Sequence, residues 1–171
     1  MGMVAITDQE FTRFQRFIYD AAGITLSPAK KALVSGRLAK RLSSCRVNSY
    51  SEYFKLLASG NAPDEVQTAV DLLTTNETYF FRESKHFDFL RELAVASSRR
   101  SQPFRVWSAA SSTGEEAYSI AMVLADCLGE SAWEVIGSDI SMRVLERART
   151  AHYSLERTKH IPSHYLRRFC L

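Results

Sequence analysis

The sequence predicts an α/β protein in which a small all-helical N-terminal domain precedes a partial α/β domain built on a parallel sheet. Three observations predict it. Up to residue 75 the apolar residues recur at helical spacing between explicit caps, the period changes at Phe104, and strand then alternates with helix. The expected boundaries are 1–75 for the helical domain, 76–102 for a linker and helix, and 103–171 for the partial α/β domain.

Each element follows from local chemistry. Thr7 and Glu10 have capping-box spacing, Phe11, Phe14 and Ile18 form one stripe, and Gly23 stops the helix. Ser27 is placed to cap a second helix with Pro28 at its first position, where the missing N–H costs nothing. Ser49 with Glu52 repeats the capping box before Tyr53, Phe54, Leu56 and Leu57. Asn61 to Asp64, with Pro63, opens a fourth helix through Val66, Val70 and Leu73. Thr74 to Thr78 is polar and helix-poor, and a fifth helix follows from about Ser84 to Ser97, with Phe87, Leu90 and Leu93 in register, before a polar stretch to Gln102.

Phe104 to Ala110 reads as a strand, Ser111 to Gly114 as a tight loop, and Glu115 to Leu128 as a helix closed by Gly129. Trp133 to Asp139 is a second strand, and Ser141 is placed to cap a helix through Val144, Leu145 and Ala148. Strand, helix, strand, helix implies a parallel sheet with right-handed crossovers. Two such strands make too small a sheet, because parallel sheets are normally covered on both faces. With the uncapped apolar ending Phe169-Cys170-Leu171, this pattern is expected of a piece of a longer protein.

Composition narrows the functional classes. Hydrophobic residues make up 46% and charged residues 24%, with 7 Gly and 4 Pro, which excludes a disordered or fibrous chain. Cys45, Cys127 and Cys170 are far apart and lack a CxxC pair, so they fit reduced thiols and a cytoplasmic location. No apolar run reaches the roughly 18 residues of a membrane-crossing helix, so no membrane insertion is expected. Residues 21–51 hold Lys30, Lys31, Arg37, Lys40, Arg41 and Arg46 with no acidic residue, a one-sign surface suited to an acidic partner. At about 100° per residue, Lys30, Arg37 and Arg41 fall together beside Val34, Leu38 and Leu42. A solvated charged face is the plainer reading of this stripe. No nucleic acid is expected, because no aromatic residues interleave with the charges.

The chemistry concentrates at the turn Ser111-Ser112-Thr113-Gly114-Glu115-Glu116 and at Asp139, 24 residues after Glu115. A strand, a small-residue loop and a helix N-terminus form a crevice at the carboxyl edge of a sheet. An acid closing the next strand faces the same crevice and can accept hydrogen bonds from a ribose diol. One glycine is too few for a dinucleotide fingerprint, and the paired glutamates would repel a pyrophosphate. A phosphate-free nucleoside such as S-adenosylmethionine fits better, its cationic sulfonium tolerating an acidic site. The plainer alternative is an ordinary helix start, with both glutamates favoured by the dipole. Tyr79, Phe80 and Phe81 either shield such a crevice or pack. His160 and His164 are four apart, but Pro162 lies between them and no third ligand is apparent, so no metal is expected.

Leu73 to Glu83 (LTTNETYFFRE), Val106 to Glu116 (VWSAASSTGEE), Ser138-Asp139-Ile140 and the ending Ile161 to Phe169 together resemble the CheR-type chemotaxis receptor methyltransferases. The resemblance covers essentially the whole chain. It implies a helical receptor-docking domain, a partial Rossmann-like S-adenosylmethionine methyltransferase domain, and methyl transfer to glutamate carboxylates of chemoreceptor cytoplasmic helices, with S-adenosylhomocysteine as product. It further implies cofactor contacts at Asn76, Thr78, Arg82, Gly114, Glu115 and Asp139. Arg82 would also serve as the catalytic-site clamp of the methionine carboxylate, and Lys30, Arg37, Lys40 and Arg41 would dock the receptor. Choosing Glu115 over Glu116 is the weaker of these assignments. Relatives carry Pro where this chain has Ala117, and they continue for roughly a further third with the remaining strands. Two readings follow: part of an active methyltransferase, or a shortened receptor- or regulator-binding module without turnover. The edge of the unfinished sheet offers a route to a homodimer.

Overall fold

The computed structural model describes residues 5–97 and 102–171, so the expected polar stretch at 98–101 lies outside the described residues. The chain divides into two compact units, Met1–Thr75 and Asn76–Leu171. The first contains helices α1 (Asp8–Ala22), α2 (Lys31–Ser44), α3 (Tyr50–Ala58) and α4 (Pro63–Leu73). The second runs α5 (Ser84–Ser97), β1 (Phe104–Ala109), α6 (Glu115–Leu128), β2 (Trp133–Ser138), α7 (Met142–Thr150) and α8 (Ser163–Phe169). No described helix is long and apolar enough to cross a membrane.

The helical unit is built as its punctuation predicts, with two local differences. The Thr7/Glu10 box is complete, and Gly23 takes the left-handed cap at φ 67°. Ser49 accepts from the Glu52 N–H, but the Glu52 carboxylate reaches back one residue further, to the N–H of Asn48 at 2.8 Å. Ser27 makes no side-chain cap bond: Pro28–Lys30 form a 3-10 turn and α2 begins only at Lys31. Phe14, Ile18, Val34, Leu38 and Tyr53 are fully buried at the centre of this unit, with Phe14 stacked on Tyr53 at 6.2 Å.

In the second unit β1 and β2 pair in parallel, with Val106 beside Val135 and Ser108 beside Gly137. Phe104, Val106, Trp133 and Val135 pack into the core with Val123, Leu124 and Leu128 of α6. The opposite face, expected to be covered as well, carries Trp107 at 69% and Ile136 at 52% exposure. The sheet therefore has one dry and one wet face, which period-2 alternation along each strand makes visible.

Candidate functional site

The turn after β1 is tied down at successive residues. Ser111 N–H donates to the carbonyl of Ser138 at 2.8 Å, extending the strand pairing by one step. Ser112 N–H donates to Asp139 Oδ2 at 2.8 Å, and Ser141 N–H donates to Asp139 Oδ1 at 2.9 Å. The acid closing β2 thus stands directly against the Gly114 turn and bridges it to the start of α7. Each carboxylate oxygen retains acceptor capacity after one such bond, so Asp139 can still receive hydroxyl donors.

Gly114 is required twice over. Its φ of 95° is left-handed, and a Cβ there would meet the Tyr153 hydroxyl at 2.8 Å and the Ala148 methyl at 2.9 Å. Ala110 and Ser112 also adopt positive φ, as do Phe81 and Glu83 in the other segment of the site. Left-handed backbone at non-glycine residues costs about 1 kcal/mol each and is held only where surroundings over-determine it. Here Tyr153 supplies part of the hold, its hydroxyl donating to the Thr113 carbonyl at 2.6 Å. Burial, then the neighbouring Glu115 charge, pushes the Tyr153 hydroxyl well above its ordinary pKa, so it remains a donor.

The paired glutamates differ. Glu115 is fully buried, with Oε2 accepting from Thr113 Oγ1 at 2.6 Å and Oε1 ion-paired with Arg157. Glu116 is exposed, and its Oε1 accepts from Ser108 Oγ at 2.7 Å. Of the two, Glu116 is the carboxylate open to a ligand in this structure.

The 76–82 segment joins the turn through its backbone. The Asn76 carbonyl accepts from Ser112 Oγ at 3.1 Å, and the Thr78 carbonyl accepts from Arg157 at 3.4 Å. Phe80 and Phe81 pack, against Tyr153 at 4.9 Å and Tyr165 at 5.3 Å, whereas Tyr79 is 40% exposed and lies 4.8 Å from the His160 ring. His164 faces Tyr165 instead, so the two histidines serve different contacts. Arg82 is exposed: its Nη1 donates to the Glu77 carbonyl at 3.0 Å, and its guanidinium lies 5.9 Å from the Tyr79 ring.

Three residues absent from the sequence-based site belong to it. Tyr153 and Arg157 come from the stretch after α7, where no local pattern announces them. Ser141 was read as a helix cap, but its side chain caps nothing, and its buried Oγ has no partner. An orphaned hydroxyl on the residue whose N–H holds Asp139 is the kind of donor a polar ligand satisfies. The acids Glu116 and Asp139 beside this turn fit a nucleoside carrying a cation better than one carrying phosphate.

The basic stripe of the helical unit is more internally engaged than its sequence suggests. Arg41 makes a two-pronged pair with Glu65, at 2.9 Å from Nε and 2.5 Å from Nη2, and Arg37 donates to the carbonyls of Leu73 and Thr74 at 3.3 and 3.0 Å. The first neutralises an acid 24 residues away, and the second satisfies carbonyls at the end of α4. Lys30, which precedes α2, and Lys40 are exposed.

Residues 76–171 match the family described as CheR methyltransferase, SAM binding domain, and residues 9–74 match its all-alpha domain. Similar curated proteins include a chemotaxis protein methyltransferase of Escherichia coli (strain K12), 45% identical over 97% of this chain and 58% of the relative. One from Pseudomonas aeruginosa, chemotaxis protein methyltransferase 2, is 42% identical over 96% of this chain and 59% of its own length. A Borreliella burgdorferi chemotaxis protein methyltransferase is 34% identical over 94% and 60%. The chain thus spans somewhat under two thirds of the length of these relatives.

Proposed function

The chain belongs to the CheR methyltransferase family, and from that premise we propose that its α/β unit binds S-adenosylmethionine for methyl transfer to glutamate side chains of chemoreceptor cytoplasmic helices. The carrying observation is the Asp139 carboxylate seated on the Ser112 and Ser141 amides beside a glycine turn flanked by acids. In this reading Asp139 takes the ribose hydroxyls, and Gly114 lets the turn bend sharply against Tyr153 and Ala148 beside the cofactor. Asn76 and Thr78 border the cofactor. Arg82, exposed and free to swing from the Glu77 carbonyl, clamps the methionine carboxylate by paired hydrogen bonds. Glu116 provides the accessible acidic wall, and Glu115 shapes the turn from beneath.

Bound S-adenosylmethionine supplies an electrophilic methyl on a cationic sulfonium, which a carboxylate oxygen takes with no proton to move. The protein's work is therefore alignment and exclusion of water. That agrees with a site offering carboxylates, hydroxyls and an arginine.

For the helical unit the reading assigns docking on acidic receptor helices to Lys30 and Lys40, with the free part of the Arg37 guanidinium contributing and Arg41 fixing the helix that carries them. A cytoplasmic location follows from such a substrate, and pairing of two copies through the sheet edge is its oligomeric corollary, checked by light scattering. The test of function is transfer of a labelled methyl group from S-adenosylmethionine to receptor-bearing membranes by the full-length gene product. Base-labile glutamyl esters that disappear with Asp139→Ala are expected; label retained in that variant would remove Asp139 from the site.

A further inference from the structure

Arg157 begins a 3-10 turn, Arg157–His160, and its Nη2 meets three stretches that are far apart in the chain. It ion-pairs with Glu115 Oε1 at the start of α6, lies 3.3 Å from Thr113 Oγ1 in the turn, and lies 3.4 Å from the Thr78 carbonyl in the 76–82 segment. The last two contacts are long, so the strength of the arrangement resides in the pair with Glu115. That carboxylate has no solvent exposure, and a buried carboxylate needs a hydrogen-bonded cation to remain charged at acceptable cost. Tyr153, four residues earlier on the same returning strand of chain, fixes the Thr113 carbonyl. The stretch 153–157 thus pins the turn at two points and the 76–82 segment at one.

We propose that Arg157 is the positioning residue of this crevice: by compensating the buried Glu115 carboxylate, it holds the Gly114 turn and the 76–82 segment in one arrangement before the cofactor arrives. The inference rests on the cofactor reading above. Its effect is to remove from binding the entropy of ordering two loops. The Arg157 side chain is 33% exposed, so it reaches the buried Glu115 carboxylate from the solvent edge.

The experiment compares the full-length gene product with its Arg157→Met, Arg157→Lys and Glu115→Gln/Arg157→Met variants. Amide hydrogen exchange is followed without ligand, and S-adenosylhomocysteine is titrated by amide chemical shifts. Arg157→Met raises exchange across 76–82 and 111–116 by roughly tenfold or more, leaving α1–α4 unchanged. Arg157→Lys falls between, because a point charge cannot span the three acceptors. The double variant returns toward the parent, since no charge is left buried without a partner; a role in packing alone would not be rescued this way. Affinity for S-adenosylhomocysteine follows the same order and drops about tenfold in Arg157→Met. Unchanged exchange, unchanged affinity, or a double variant no better than Arg157→Met overturns the proposal. A full-length parent that takes up no S-adenosylhomocysteine instead defeats the cofactor reading, and the exchange order then decides the role of Arg157 by itself.

Discussion

Two carboxylates, Glu65 partly buried and Glu115 fully buried, are each answered by an arginine and stand in different kinds of structure. Glu65 sits on α4, and Arg41 on α2 grips it through two nitrogens while the Tyr53 hydroxyl donates at 2.6 Å. All three come from regular helices around a packed aromatic core. Glu115 is held through one nitrogen of Arg157, from a short turn, and the same guanidinium spreads to two loops. The first arrangement joins elements that would pack anyway; the second adds a charged link between two loops that are otherwise held by single hydrogen bonds and aromatic packing. A buried charge pair contributes fold stability where it links helices, and site geometry where it links loops.

The comparison breaks first at Arg41. Arg41→Met leaves the partly buried Glu65 with a hydroxyl donor and no cation, and should destabilise the helical unit by about 1–2 kcal/mol in urea unfolding. Arg157→Met should shift the unfolding midpoint of the α/β unit much less than it shifts loop exchange. Equal global losses in the two variants would erase the distinction.

Acid sharpens the same contrast. Burial pushes Glu65 up, but the hydrogen bonds from Arg41 and Tyr53 outweigh it and leave the group below its ordinary 4.5. Glu10 behaves alike, with burial opposed by bonds from Thr7 and Ser51. Both groups have a folded pKa beneath the unfolded one, so their stabilisation is present above about pH 4.5 and is lost as pH falls through the depressed values. In the α/β unit the Arg91 hydrogen bond lowers Asp126, which gives that unit its own acid weakening. Unfolding midpoints measured from pH 7 to 3 should fall in the parent, less steeply for the helical unit in Glu10→Gln and less steeply for the α/β unit in Asp126→Asn.

Tyr153→Phe removes a single hydrogen bond to the turn and should cost about 1 kcal/mol in the α/β unit, with none in the helical unit. The smallest effect belongs to the surface. Lys30→Glu with Lys40→Glu should weaken binding to acidic receptor helices several-fold at low salt, a difference that fades as salt screens it, with no change in melting.

Much of this was legible in the chain, and the exceptions share a cause. Thr7, Ser49, Pro63 and Gly23 act on neighbours three or four residues away, so they could be read from spacing. The period change at Phe104 located both strands, and Asp139 followed from the position of an acid at a strand end. Arg41 was read as an outward charge because Glu65 lies 24 residues away, and no periodicity links α2 to α4. Arg157 and Tyr153 escaped altogether: their partners are 40 or more residues earlier, and the stretch that carries them has neither strand nor long helix to reveal which way it faces. Ser27 and Ser141 occupy cap positions but make no side-chain cap bond.

The claim that the Asp139 crevice receives the cofactor is tested most directly by titrating the full-length gene product with S-adenosylhomocysteine and following the Ser112 and Ser141 amides, whose N–H groups rest on the Asp139 carboxylate. Those two resonances should move together with others in 76–82, leave α1–α4 still, and lose their response in Asp139→Ala. Movement confined to other regions, or a response that survives in Asp139→Ala, would contradict it.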